Sequence, residues 1–283
     1  PHTMTTLSTH DTKRGEDVRA RIDVLSELPG EWADVLDALR AAAPIGDGPF
    51  EQLLWSAAVG AWPISRERVH DYATKAAREA GNSTSWNDPD EWFEARMHAA
   101  VDAAFDDPAV HDTIVRFVER IAPYGVSNAL SAKLIQLTMP GVPDVYQGSE
   151  LWEQSLVDPD NRRDVDFPMR ELLLAAIKAG AHPPAGDGGA EKLMLVHCTL
   201  TLRRDRPELF DRYLPLTAVG EQAEHVVAFD RGGAITVATR LPAGLAAAGG
   251  RGDTQLLLTP GERVDRLTGN AYSGSAIRLA ELL

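Results

Sequence analysis

Two short polar clusters carry side chains capable of chemistry. The first is His10-Asp11-Thr12-Lys13-Arg14, where an imidazole, a carboxylate and two cations follow one another directly. Groups of these types donate, accept and carry charge of both signs, so together they suit a reactive pocket. A plainer reading is that Asp11 caps the helix that follows and His10 packs locally, because Asp and Thr are favoured at caps. The second cluster is Asp158-Pro159-Asp160-Asn161-Arg162-Arg163. Its short acids, amide and guanidinium groups are planar donors and acceptors suited to hydroxyl-rich ligands, although Asp-Pro-Asp-Asn is also ordinary turn chemistry.

The elements ahead of each cluster decide between these readings. Residues 4–9 are rich in β-branched and apolar side chains and read as a short, mostly buried strand. A second strand is expected between Leu137 and Glu150, reached through the turn Pro140-Gly141 and ending in the polar tip Gly148-Ser149-Glu150. In a βα barrel the C-terminal strand ends surround one cavity, and catalytic side chains collect there. Both clusters would then follow strand ends.

Between the two strands the periodicity is helical. Residues 15–28 place Val18, Ile22, Leu25 and Leu28 on one face, with Pro29-Gly30 as the expected stop. Further helices are expected around Trp32 to Leu39, from near Phe50, from the cap Ser65 to Gly81, over residues 91–105 and over residues 109–138. Breaks are expected at Asp106-Asp107-Pro108 and at Pro123-Tyr124-Gly125. So many helices between consecutive strands far exceed the usual short connection, which implies an inserted helical subdomain. The polar loop around Trp86 either anchors itself with that ring or offers it for stacking.

After the second cluster, residues 169–179 and 190–206 read as helices, separated by an exposed flexible loop over residues 182–189. From Tyr213 the period becomes that of strands. A hairpin turns at Arg231-Gly232-Gly233, and further strands are expected at residues 254–259 and 275–282.

Composition limits the partners. The 283 residues carry 28 Lys and Arg against 42 Asp and Glu, a net charge of −14, so nucleic acid and anionic membrane surfaces are unsuitable partners. A neutral polymer is compatible. The single cysteine, Cys198, excludes an intrachain disulfide, disfavours a metal site and reads as a buried structural thiol. No cofactor and no metal are expected. With no apolar run of membrane-spanning length and no basic or apolar leader, the expected location is cytoplasmic.

The motifs carry a resemblance. His10-Asp11 after a strand, and the run Gly141-Val142-Pro143-Asp144-Val145-Tyr146-Gln147-Gly148-Ser149-Glu150, resemble the seventh and eighth strands of the α-amylase family of glycoside hydrolases. There a His-Asp pair ends one strand and a Gly-x-Pro-x-x-Tyr-x-Gly-x-Glu run forms the next. Residues 8–22 and 155–167 are similar to signature segments of the trehalose-forming members of that family. One departure is Asp164, where those members lead one to expect proline.

The resemblance implies an α/β fold: the C-terminal part of a (β/α)8 barrel with a large helical insertion, then a small all-β domain. The expected boundaries are residues 1–28 for a late barrel strand and helix, 29–136 for the insertion, 137–210 for the last strand, substrate loop and last helix, and 211–283 for the β domain. The implied reaction is an intramolecular glucosyl transfer, of the isomerase class, that turns the reducing-end α-1,4 linkage of a maltooligosaccharide into an α,α-1,1 linkage. Asp11 is implied as the carboxylate that stabilises the positively charged transition state. His10, Lys13, Arg14, Gln147, Asn161 and Arg162 are implied as substrate-binding residues.

A retaining mechanism also needs a nucleophile and an acid/base carboxyl about 5 Å apart, and the resemblance puts both upstream of Pro1. The chain is therefore expected to be the C-terminal portion of a longer polypeptide, with its N-terminal portion and a maltooligosaccharide as partners. A glucan hydrolase of the amylase type and a non-catalytic carbohydrate-binding fragment remain as alternatives.

Overall fold

The computed structural model describes residues 3–183 and 188–282. The expected loop over residues 182–189 therefore falls partly, at residues 184–187, outside the described residues. Helix and strand are both abundant, so the class is α/β in the broad sense. The chain divides into two units, one of residues 10–125 and 154–163, the other of the described residues among 1–9, 126–153 and 164–283.

The first unit is helical, and sequence chemistry marks the ends of its helices. They are α1 (Glu16–Asp23), α2 (Pro29–Ala42), α3 (Gly48–Ala61), α4 (Arg66–Ala80), α5 (Glu91–Asp106) and the first part of α6 (Pro108–Thr138). The Asp47, Ser65 and Asp90 side chains accept from the backbone N–H of Phe50, Arg68 and Phe93, satisfying donors that a helix start leaves open. Gly81 closes α4 in the left-handed conformation at φ 69°, which costs glycine no steric strain.

Two expectations about proline are corrected. Pro29 does not stop a helix; it occupies the first turn of α2, where its missing N–H would have had no helical partner. Pro123 does not break α6, which runs unbroken for 31 residues. Proline's φ is already helical, so the local cost is the hydrogen bond that Pro123 has no N–H to donate.

The core of this unit includes Leu39, Leu54, Trp55, Met97, Ile114 and Ile121, all fully buried. Gly60 lets α1 and α3 approach closely, since a Cβ there would lie 2.8 Å from the Ile22 side chain. A polar staple holds the loop after α4. Arg78 donates from Nε and Nη2 to Glu94 at 2.8 and 2.7 Å, and Thr84 Oγ1 donates to the same carboxylate at 2.7 Å. Trp86 remains 56% exposed, with the Arg78 guanidinium 5.1 Å from its ring centre.

In the second unit, β1 (Met4–Thr6) pairs in parallel with β2 (Val142–Asp144), with Met4 opposite Val142 and Thr6 opposite Asp144. The first strand is shorter than expected: Thr6 Oγ1 donates to the Ser8 carbonyl at 2.7 Å, and the chain turns out of the ladder. Gln136 Nε2 donates to the carbonyls of Thr5 and Asp144 at 2.9 and 2.7 Å, tying both strands to the end of α6. Helices α7 (Phe167–Lys178) and α8 (Ala190–Asp205) follow. Cys198 on α8 is only partly buried, and desolvation pushes its thiol pKa up.

The last stretch forms two three-stranded antiparallel sheets, one ordered β3 (Leu214–Pro215), β5 (Val226–Asp230), β6 (Ile235–Thr239), the other β4 (Ala218–Val219), β7 (Gln255–Val264), β8 (Ala271–Arg278). The β5–β6 hairpin turns where expected, with Asp230 Oδ1 accepting from the N–H groups of Gly232 and Gly233. A short helix, α9 (Pro242–Ala247), interrupts the expected all-β run between β6 and β7. No helix among the described residues is long and apolar enough to cross a membrane.

The Glu94 staple has a pH signature. Hydrogen bonding from Arg78, outweighing the cost of burial, lowers the Glu94 pKa from 4.5 to about 2. A depressed carboxyl stabilises the fold fully above its unfolded pKa and loses that contribution as the pH falls toward the folded one. Glu94→Gln should therefore cost about 1–3 kcal/mol at neutral pH. Its thermal midpoint should converge with that of the parent as the pH falls toward about 2; a gap that stays constant with pH would contradict this.

Candidate active site

The segment that precedes α1 keeps its chemical groups clear of helix capping. The N-cap of α1 is Gly15, which supplies no side-chain cap. Asp11 is thus not a helix cap, and the plainer reading of the cluster fails on position. His10 Nε2 lies 3.2 Å from Asp11 Oδ2, with the two side chains 56% and 86% exposed. An imidazole beside an exposed carboxylate offers a hydroxyl-bearing ligand both a donor and a charged acceptor.

The two cations of this segment face helix α4. Lys13 Nζ lies 3.0 Å from Glu79 Oε2, and Arg14 Nη2 donates to the Tyr72 hydroxyl at 3.1 Å. Burial pushes the Tyr72 pKa up, a tendency that the neighbouring Arg14 reduces. Tyr72 therefore serves Arg14 as a neutral acceptor.

The second cluster lies alongside the first. Arg14 and Leu156 form an antiparallel β-bridge, and the Gly15 N–H donates to the Ser155 carbonyl at 2.8 Å. Asn161, nearly buried, donates from Nδ2 to the His10 carbonyl at 2.8 Å. This amide therefore grips the backbone of the first cluster. Arg162 pairs with Asp158 at 2.6 Å.

Asp160 anchors the loop. Arg68 on α4 donates to it from Nε at 2.5 Å and from Nη2 at 2.7 Å, and the Leu156 N–H donates to it at 2.7 Å. Burial alone would raise this carboxyl, but the hydrogen bonds from Arg68 and Leu156 outweigh it and hold the pKa below the usual value. Arg68 Nη2 also reaches the Gln154 carbonyl at 2.8 Å, and Lys75 Nζ the Asp158 carbonyl at 2.6 Å.

Of the residues singled out in the sequence, His10, Asp11, Lys13, Arg14, Asn161 and Arg162 all fall in the helical unit. Gln147 belongs to the other unit, where it is exposed in the turn closed by Ser149 N–H donation to the Tyr146 carbonyl at 3.0 Å. The residues that sequence reading missed are Arg68, Tyr72, Lys75 and Glu79. Their spacing along α4 was the available signal, but charge on a helix usually marks a solvated face. Among the described residues, no group of three or more His, Cys, Asp or Glu side chains is arranged to hold a metal ion.

No protein-family model matches the chain. A structure of maltooligosyltrehalose synthase from Arthrobacter ramosus superposes with a TM-score of 0.97 at 54% identity, covering 100% of this chain and 37% of that one. The chain is homologous to a segment of the maltooligosyltrehalose synthases. A curated protein of Mycobacterium tuberculosis (strain CDC 1551 / Oshkosh), named "Putative maltooligosyl trehalose synthase", is 47% identical over 97% of this chain and 35% of its own length. A further maltooligosyl trehalose synthase crystal structure matches at 26% identity with a TM-score of 0.81, again over 38% of its length. The chain thus spans about a third of the maltooligosyltrehalose synthases it matches, and the match covers a C-terminal part of them.

The Asn161 contact can be tested in this chain. Asn161→Leu removes a buried donor from the His10 carbonyl, a loss of about 1 kcal/mol. Amide exchange over residues 10–14 should become about fivefold faster by hydrogen-exchange mass spectrometry. Unchanged exchange would deny Asn161 this holding role.

Proposed function

We propose that this chain, within a longer polypeptide, converts the reducing-end α-1,4 linkage of maltooligosaccharides into an α,α-1,1 linkage, the (1→4)-α-D-glucan 1-α-D-glucosylmutase reaction of trehalose formation. The observation that carries this reading is the similarity to the Arthrobacter ramosus maltooligosyltrehalose synthase along the whole chain, at 54% identity.

The reading assigns the chain the C-terminal part of an amylase-type barrel. Two features of the second unit support that assignment. Parallel strands are rarely stable as an exposed pair, yet β1 and β2 pair in parallel with Met4 67% and Val142 55% exposed. Helix α7 has no buried residue, although Phe167, Met169 and Leu172 lie along it. Further barrel strands and helices, supplied by the rest of the polypeptide, would cover these surfaces. Within this scheme residues 29–136 are the helical insertion, and residues 211–283 a small C-terminal domain built largely of strands.

In the proposed mechanism a nucleophilic carboxylate and an acid/base carboxyl, both from the rest of the polypeptide, form and resolve a glycosyl intermediate. Asp11 lies against the reacting sugar ring. Its carboxylate accepts from ring hydroxyls and favours the positive charge that grows toward the oxocarbenium-like state. His10 hydrogen-bonds the same ring, and the 3.2 Å contact orients its imidazole. Lys13, Arg14 and Arg162 contribute donors for other hydroxyls of the substrate, and Gln147, in the other unit, is assigned to substrate binding by its motif alone.

The reaction differs from hydrolysis in the nucleophile that resolves the intermediate. The released glucose must stay, turn and present its anomeric hydroxyl before water arrives, which requires an enclosed acceptor site. Residues 154–163 form part of that enclosure. The ordering of this loop by Arg68, Lys75 and the bridge to Arg14 supports the assignment.

Asp11→Asn in the full-length protein keeps the size of the side chain and removes its charge. It should lower kcat by about 10²–10³-fold, the usual loss for a group that stabilises charge in the transition state, with the melting curve unchanged because the side chain is 86% exposed. Turnover within a few-fold of the parent would remove Asp11 from the mechanism.

A further inference from the structure

Helix α4 presents Arg68, Tyr72, Lys75 and Glu79 at successive spacings of four, three and four residues, which places them on one face of the helix. Each of these side chains reaches a site segment distant in sequence. Tyr72 accepts from Arg14 at 3.1 Å and Glu79 pairs with Lys13 at 3.0 Å, so these two side chains meet the first cluster. Arg68 reaches Asp160 at 2.5 and 2.7 Å and the Gln154 carbonyl at 2.8 Å, while Lys75 reaches the Asp158 carbonyl at 2.6 Å. Asp158 and Asp160 of the second cluster are therefore tied to the same helix, as is Gln154 ahead of it.

We propose that α4 is a positioning clamp, with Arg68 as its principal residue, which sets residues 154–163 against His10-Asp11 and so governs whether the glycosyl intermediate is resolved by the retained glucose or by water. The inference rests on the trehalose-forming reading above and adds residues that none of its motifs contains.

Geometry singles out Arg68. Its planar fork engages both oxygens of one carboxylate, a contact lysine cannot reproduce because its ammonium is a single point of donation. The same guanidinium holds the Gln154 carbonyl, so one side chain ties together two points at either end of the loop's first turn. Arg68 and Asp160 are only 20% and 13% exposed, so the contact is shielded from water. The effect passes to the reacting end through the loop itself, because Asn161 follows Asp160 and carries the His10 carbonyl, and Ser155 carries the Gly15 N–H. A loosened loop would loosen the backbone beneath Asp11 and widen the path for water. Arg68 touches no reacting atom in this scheme, so it is a positioning residue.

The test compares Arg68→Met and Arg68→Lys with the parent in the full-length protein, using maltopentaose. Free glucose and shortened chains report attack by water, and loss of reducing ends at constant chain length reports isomerisation. The clamp predicts that Arg68→Met raises the ratio of hydrolysis to isomerisation about tenfold and lowers isomerisation kcat, with KM within about twofold. Arg68→Lys, which keeps the charge and the stem, should recover only part of the loss. A ratio unchanged in both variants would overturn the proposal, as would a lowered melting temperature with the ratio unmoved.

Hydrogen exchange separates failure of the clamp from failure of the reaction assigned. If the parent only hydrolyses maltopentaose, the trehalose-forming reading fails. The clamp then stands if Arg68→Met speeds exchange about tenfold over residues 10–14 and 154–162 together, and falls if either segment exchanges as in the parent.

Discussion

The Asp160 carboxylate is largely withdrawn from water, and a charge in that position is tolerated only where donors replace its hydration. Arg68 supplies two of those donors and the Leu156 N–H a third. Satisfying this one group fixes the turn from Leu156 to Asp160 and seats it on α4. Because Asn161 comes next and holds the His10 carbonyl, the same constraint passes to the segment bearing Asp11. Asp11 itself stays 86% exposed, with its carboxylate 3.2 Å from His10 Nε2. Order in this segment comes from the buried partners around it.

The second unit applies the same rule to backbone carbonyls. Gln136 satisfies one carbonyl on each of the paired strands. Arg203 donates to the carbonyls of Leu137 and Met139 at the end of α6, and the nearly buried Arg231 reaches those of Thr138, Phe210 and Arg212. Loops that turn within a core leave acceptors unpaired, and long planar side chains are well shaped to collect several at once. Such residues fix where a short strand ends.

Much of this organisation was legible in the sequence because it rests on local chemistry. Ser65 marks a helix start, Gly81 a helix end, and Arg231-Gly232-Gly233 a hairpin, each through a contact made within a few residues. The two polar clusters were legible as well, from their place after short apolar runs. What the sequence hid is of two kinds. The first strand stops at Thr6, where a side chain captures the Ser8 carbonyl, and α6 continues through Pro123 although that residue cannot donate a helical hydrogen bond; other features depend on distant partners. Asn161 reads as a ligand-binding amide, and nothing nearby in the sequence shows that its Nδ2 also donates to a carbonyl 151 residues away. Arg68 was indistinguishable from any surface arginine, since its partner is 92 residues away in the chain.

In the proposed reaction a helical frame holds two loops in register so that an exposed carboxylate meets a sugar ring while the leaving glucose is kept from solvent. Retention decides the outcome: the bond is moved and not lost to water. The most direct measurement follows maltopentaose with the full-length parent protein, counting reducing ends and chain length together through the reaction. Reducing ends should disappear while every product keeps five glucose units, as an intramolecular transfer requires. Shorter chains accumulating with a rise in reducing ends would contradict it and identify a hydrolase.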